Sequence, residues 1–389
     1  MFVRIPPRCG LAGGISVAGV PLLMLCMLLP CIGPAAHGQD VEPTTEESEQ
    51  PQPRREEARS SLVEITPGLG PTVDKALSFL ASKQNRDGSF GSSYPVAETS
   101  LAGLAFMASG NVPGRGRYGE NVARALLYML KLAEAPGNRR GYLSETGGSR
   151  SRMHGHGYAT LFLAEAYGMC QETSNSSIEP ERLQAALRKA IKVIEESQTR
   201  YGGWGYEPTK DISDENSVTI CQAQALRACR DVGLTVNKQV IDRAIDYIRK
   251  CQNPDGSFKY SLHYDSAGGT FPLAAGSLAT LNYAGLYDVK ELTVSYQFLM
   301  KHKPTKEGGI QQMSGGYSYF YYAHFYAVLA MYYAGGAYWE EWFPAIRDHL
   351  IESQSDTGAW THDISPEYCT ACGALILQVP YRYLPIFQK

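Results

Sequence analysis

Apolar residues recur along this chain in two alternating registers. In the stretches 73–83, 120–133, 182–197, 238–251, 290–302 and 341–353 they fall three and four positions apart, as Val240, Ile241, Ala244, Ile245 and Ile248 do. That spacing puts them on one face of a helix whose other face is wet. In the stretches 101–108, 158–169, 218–229, 273–283, 321–333 and 370–378 apolar residues occupy nearly every position. A helix without a polar face is enclosed on all sides. The pattern predicts an all-α fold in which six half-exposed helices alternate with six enclosed ones.

The joints between these helices repeat as well. Gln84-Asn-Arg-Asp-Gly-Ser-Phe90, Gln198-Thr-Arg-Tyr-Gly-Gly-Trp204, Gln252-Asn-Pro-Asp-Gly-Ser-Phe258 and Gln354-Ser-Asp-Thr-Gly-Ala-Trp360 share one plan: glutamine, a polar turn, glycine, a small residue, an aromatic ring. Weaker copies, Arg140-Gly141-Tyr142-Leu143 and Glu307-Gly308-Gly309-Ile310, lie midway in the two long gaps. The glycines Gly88, Gly141, Gly203, Gly256, Gly309 and Gly358 then mark six units of about fifty residues, the signature of a repeat architecture. Glycine takes positive φ without steric cost. The glutamine is expected to bond backbone at the helix end, and the ring to pack between units. Enclosed helices as an inner barrel and amphipathic helices as an outer layer make an α/α toroid of six helical hairpins. An open α-solenoid carries the same alternation; closure is expected because the repeat ends at six units with a complete last copy.

Composition narrows the class further. With 389 residues, 44% hydrophobic and 19% charged, the chain is neither disordered, coiled-coil, collagenous nor polytopic in a membrane. Lys+Arg 36 against Asp+Glu 39 leaves a formal charge of -3, with no bulk pull toward nucleic acid. Residues 1–38 carry Arg4 and Arg8, no acidic residue, an apolar core and small residues before Gly38. This is the pattern of a secretory signal peptide; an uncleaved anchor is the alternative and the one route to a membrane. Residues 39–65 read as an acidic flexible linker, too polar to offset their ordering entropy, and 66–389 as the toroid. The expected product is an exported, periplasmic or secreted monomer. Its cysteines Cys170, Cys221 and Cys229 lie in apolar helix patterns, where a buried free thiol packs as a small hydrophobe.

The Gln-x-x-x-Gly-x-Trp/Phe turns in this helical frame resemble the prenyltransferase/squalene oxidase repeat family, which includes squalene-hopene and oxidosqualene cyclases and the β-subunits of protein prenyltransferases. The resemblance covers about residues 71–389 and implies the toroid. Family cyclases protonate an alkene with an Asp-x-Asp-Asp-Thr motif at the start of an inner helix. The nearest stretch here runs from Asp211 through Asp214, Glu215 and Asn216 to Thr219, and aligning the threonines puts Ser217 and Val218 where the paired aspartates belong. Asp211, Asp214 and Glu215 remain the catalytic candidates, because a crowded carboxyl has a raised pKa suited to a general acid. The competing reading is an acidic helix start that complements the macrodipole. The Asp-x-Cys pair of the zinc-holding prenyltransferases is absent. Cys369 and Cys372, with His154, His156 and His324 at inner-helix starts, are the soft ligands present. Without a second Cys-x-x-Cys, the two thiols are expected as a structural pair or a disulfide. No cofactor is implied. Cys221-Gln222-Ala223-Gln224 lacks the glycine and glutamate of a thioester-domain motif.

In a toroid the loops entering the inner helices converge on one mouth, the default place for a ligand. The residues there are Glu98, His154, His156, Tyr158, Asn216, Tyr317, Tyr319, Tyr321, Tyr322, His324 and Tyr368, with His263 and Glu367 beside them. This polar and aromatic set suits a ligand with apolar faces and hydroxyl groups: a polycyclic terpenoid, a glycan or a peptide. Three functions are consistent with it. The first is an exported terpenoid-cyclase-like toroid binding a small molecule at its mouth, an isoprenoid among the possibilities. The second is a non-catalytic binding or scaffolding module. The third is a polysaccharide-active toroid with Glu98 and Asp214 facing each other.

Overall fold

The computed structural model describes residues 64–137, 140–145, 152–171, 178–210, 214–263, 269–286, 290–305, 319–362 and 364–388. The leader, most of the linker, Asp211, Tyr317 and the turn at Gly309 lie outside them. Twelve α-helices are present among the described residues, and no strand is. The amphipathic ones are α1 (Leu69–Lys83), α3 (Gly119–Ala133), α5 (Pro180–Ser197), α7 (Lys238–Lys250), α9 (Thr293–Met300) and α11 (Gly336–Ser353). The enclosed ones are α2 (Pro95–Met107), α4 (Arg152–Gln171), α6 (Asn216–Asp231), α8 (Phe271–Tyr283), α10 (Phe320–Ala334) and α12 (Pro366–Gln378).

Burial follows the sequence periodicity. On α7 the buried residues are Val240, Ile241, Ala244, Tyr247 and Ile248, while Lys238–Asp242 and Lys250–Asp246 ion pairs run along its wet face. On α8 every residue from Phe271 to Asn282 is buried. Each enclosed helix packs on the next, α2 on α4, α6, α8, α10 and α12 in turn, and α12 packs back on α2. The ring therefore closes. Gln378 on α12 donates to the Ala105 carbonyl of α2 at 3.0 Å, and α1, first in the chain, serves as outer partner to α12.

The turns fasten neighbouring outer helices to one another. Gln84 donates to the carbonyl of Asn121 on α3 (3.0 Å), Gln198 to Val240 on α7 (2.8 Å) and Gln252 to Glu291 just before α9 (2.9 Å). Gln354 donates to Thr72 on α1 (2.9 Å), so the last turn clamps the first helix. The glycine must be a glycine for two reasons. At Gly202 φ is +101°, and a Cβ there would stand 2.5 Å from the Arg243 carbonyl of α7. This corrects the expectation placed on Gly203. The positive φ belongs to Gly202, four residues after the glutamine as at Gly88, Gly256 and Gly358, whereas Gly203 abuts Asp214. The weaker copy at Gly141 has the same conformation, against Lys189 of α5. Phe90, Trp204 and Trp360 send their backbone N–H to Thr99, Thr219 and Thr370 in the first turns of the following inner helices.

Three inner helices, α2, α4 and α12, begin one to two turns before their apolar runs, whereas α6, α8 and α10 begin within two residues of theirs. Pro95, Pro272 and Pro366 sit in first turns, where the missing N–H costs nothing. His154-Gly155-His156-Gly157 lies within the first turns of α4. Its glycines are points of close approach: a Cβ on Gly155 would stand 3.3 Å from Val96 of α2, and one on Gly157 2.8 Å from Cys221 of α6.

The bore of the ring is blocked at two levels. Tyr326 on α10 donates to Tyr158 on α4 at 3.3 Å, between helices on opposite sides of the ring, and Cys221 of α6 lies 3.9 Å from the same Tyr326 hydroxyl. At 1.5 Å per residue this phenol floor lies roughly 10 Å below the amino-terminal ends of those helices. The far mouth is covered by the chain's own tail, with Leu384, Ile386 and Phe387 buried. The Ile386 N–H donates to Glu165 of α4 and its carbonyl accepts from Tyr333 of α10.

Candidate functional site

Among the described residues, the amino-terminal ends of the inner helices carry no comparable cover, which leaves a cup above the phenol floor. Two groups of side chains stand there. The first is built on α2. Glu98, in the first turn, is 0% exposed, and its carboxyl fills the space that Gly91 (φ +66°) leaves by having no side chain. Burial pushes its pKa up to about 7, and the neighbouring carboxylate of Glu367 pushes the same way. The backbone at Tyr94 and the Ser365 hydroxyl offset part of the rise, yet neither carboxyl oxygen has a fully formed hydrogen bond among the described residues.

The second group gathers at the start of α6. Asp214 and Glu215 are consecutive, and Glu215 is extended (φ -133°, ψ 143°), so their side chains leave on opposite sides. Asp214 turns inward, accepting from the Thr199 hydroxyl at 2.5 Å and lying 3.1 Å from Nε2 of His263. Glu215 turns to the hydroxyls of Tyr206 and Tyr260, which are themselves 2.5 Å apart. Burial raises the Glu215 pKa, and the two phenols lower it in part. Asp214 and Glu215 therefore do not pool their charge, and Asp211 lies outside the described residues. Asp214 is held by Thr199 and His263.

His154 joins the second group, its ring 5.9 Å from that of Tyr206 and its Nδ1 without a partner among the described residues. Burial lowers its pKa to about 4, so the ring is neutral at physiological pH. Tyr319, more than half exposed just before α10, is within electrostatic reach of Tyr206. Tyr322, whose ring lies 4.8 Å from that of Tyr326, adjoins the floor beside Tyr158.

Other residues of the sequence-based set have structural surroundings. His156 accepts the Leu143 N–H at Nδ1 (3.1 Å) and meets the Ala190 carbonyl at Nε2 (3.3 Å), a staple between α4 and α5. Asn216 bonds the Lys259 carbonyl and the Ser277 hydroxyl. His324 is sealed among Phe271, Phe320 and Trp342. Tyr321 is buried against Phe320, and Tyr368 is buried. Cys369 and Cys372 are buried and are not joined in a disulfide. Tyr206 and Tyr260 are the residues that sequence reasoning missed. Both stand eight positions after a turn glutamine, an offset that also places His362 after Gln354, and that register was the available signal.

A closed double ring of helical hairpins defines an α/α toroid. The chain belongs to the prenyltransferase alpha-alpha toroid domain family, whose model matches residues 128–358. Among solved structures it is similar to a variant of the type II terpene cyclase MstE from Scytonema in complex with geranylgeranyl dihydroxybenzoate, at 15% identity over 82% of this chain and 98% of that one, TM-score 0.53. An inactive α-1,6-mannanase variant from Salegentibacter in complex with α-1,6-mannotriose matches at 8% identity over 80% of this chain and 98% of that one, TM-score 0.58. A glycosidase variant in complex with glucose matches at 12% identity, over 82% and 98% of the two chains, TM-score 0.51. At these identities the likeness is one of fold. No curated protein matches the chain.

Proposed function

We propose that the cup is a ligand site and that Glu98 is its acid, performing cyclase-like proton transfer on a compact or folded substrate. The observation that carries this reading is a wholly buried carboxyl, tuned to about 7 and lacking full hydrogen bonds, at the first turn of an inner helix. A carboxyl that holds its proton near neutral pH is ready to give it to a bound molecule. The phenol floor requires the ligand to stay in the cup. The test is conversion of geranylgeranyl dihydroxybenzoate and of α-1,6-mannotriose, each followed by mass spectrometry. The expected result is turnover of the first that falls about a hundredfold or more in Glu98→Gln. Turnover untouched by that change removes Glu98 from the chemistry. Turnover of the mannotriose alone shifts the reading to the polysaccharide-active toroid.

A second reading, a non-catalytic binding module, is favoured by the same floor, because a shallow cup encloses a substrate less completely than a deep one. Export is part of the proposal, on the pattern of residues 1–38. Amino-terminal sequencing of the mature protein is expected to begin near Gln39; a start at Met1 on the recovered protein contradicts cleavage.

A further inference from the structure

We infer that the cup takes a ligand bearing an alkylammonium group, seated on Glu215 and ringed by the phenols of Tyr206, Tyr260 and Tyr319. The inference rests on the cup being a ligand site and names the chemistry it selects.

Glu215 is 8% exposed, and its Oε2 is closed off from solvent with no partner among the described residues. A buried carboxylate is retained at low cost only where a counter-charge or enough donors face it. Two phenols supply neutral donors to this one. No described lysine or arginine forms an ion pair with it. Arg152, the nearest cation along α4, is engaged by Glu207 at 2.7 Å. The base that touches the cluster, His154, is kept uncharged by its burial and leaves Nδ1 unpaired.

The site thus offers one acceptor without a partner, aromatic rings on several sides and, among the described residues, no cation paired with it. Beside Glu98, the carboxylates of Glu367 and Glu145 add negative potential. An ammonium group answers each feature. Its N–H donors reach the orphaned oxygen, its charge neutralises the carboxylate, and its alkyl stem lies against ring faces that attract cations. A neutral polyol satisfies the oxygen only, and an anion is repelled from both ends.

Calorimetric titration of the full-length chain with spermidine, and with 1,8-octanediol as a neutral chain of similar length, tests this. The expected outcome is spermidine binding that weakens about tenfold or more in Glu215→Gln but is unchanged in Glu340→Gln, an exposed carboxylate on α11. Spermidine binding lowered equally by both substitutions, or by neither, means diffuse attraction and overturns the inference. The diol binding as tightly as spermidine to the unaltered chain overturns it too, while leaving the cup as a ligand site. Neither probe binding removes both readings. Should Glu215→Gln not fold, as circular dichroism reports, the comparison of the two probes on the unaltered chain decides alone.

Discussion

Single residues carry the contrast between the two ends of the bore. Glu98 and Glu165 are both buried acids with raised pKa values, one packed beside Gly91 at the amino-terminal end of an inner helix and the other covered by the tail. In the unfolded chain the Glu165 carboxyl titrates near 4.5; in the fold burial pushes it to about 8. The folded protein therefore keeps this proton over a range in which the unfolded chain has released it. The resulting stability is fully present below pH 4.5 and is lost as pH rises through 8, a difference of up to roughly 5 kcal/mol. His154 and His156 act in the opposite window, their depressed values making stability fall as pH drops from 6.5 toward 4. Glu165→Gln keeps an acceptor for the Ile386 N–H and removes the titration. Urea unfolding of this variant between pH 7 and 8, above the histidine window, is expected to show a flatter stability profile than the parent. A slope identical to the parent's would contradict the assignment.

At the scale of elements, the helices and their alternation were legible because burial on one face or all round leaves a direct mark on residue spacing. Their boundaries were less so. Pro95, Pro272 and Pro366 look like loop residues but open helices, and Gly155 and Gly157 look like breakers but let α4 approach α2 and α6. Helix starts in the inner ring are polar and glycine-rich for reasons of crossing distance, which no one-dimensional period reports. The site was half legible for a related cause. Its carboxylates were visible as residue types, but whether Asp214 and Glu215 pool or part depends on the backbone at one extended residue. The phenols that meet Glu215 come from two different turns. Turns also set the energetic weak points. Gly202→Ala forces positive φ on a side chain and drives a Cβ into the Arg243 carbonyl, whereas at Gly285 (φ +92°) the same change meets open space. Denaturant titration is expected to give a loss of about 1 kcal/mol for Gly285→Ala and clearly more, about 3 kcal/mol, for Gly202→Ala. Equal losses would show that the seam with α7 contributes nothing.

On the scale of the molecule, closure depends on residues far apart in the chain: Gln354 with Thr72, Gln378 with Ala105. A toroid assembled this way has no free end from which to unwind. The clasp between Tyr158 and Tyr326, with the tail strapped across the opposite opening, turns what the ring geometry would allow to be a tunnel into a thimble. Whatever goes in must come out through the same doorway, so an occupant and a newcomer can never pass one another. A thimble also has no need of a free molecule. The tip of a longer polymer or an anchored chain can dip into it while the remainder stays outside.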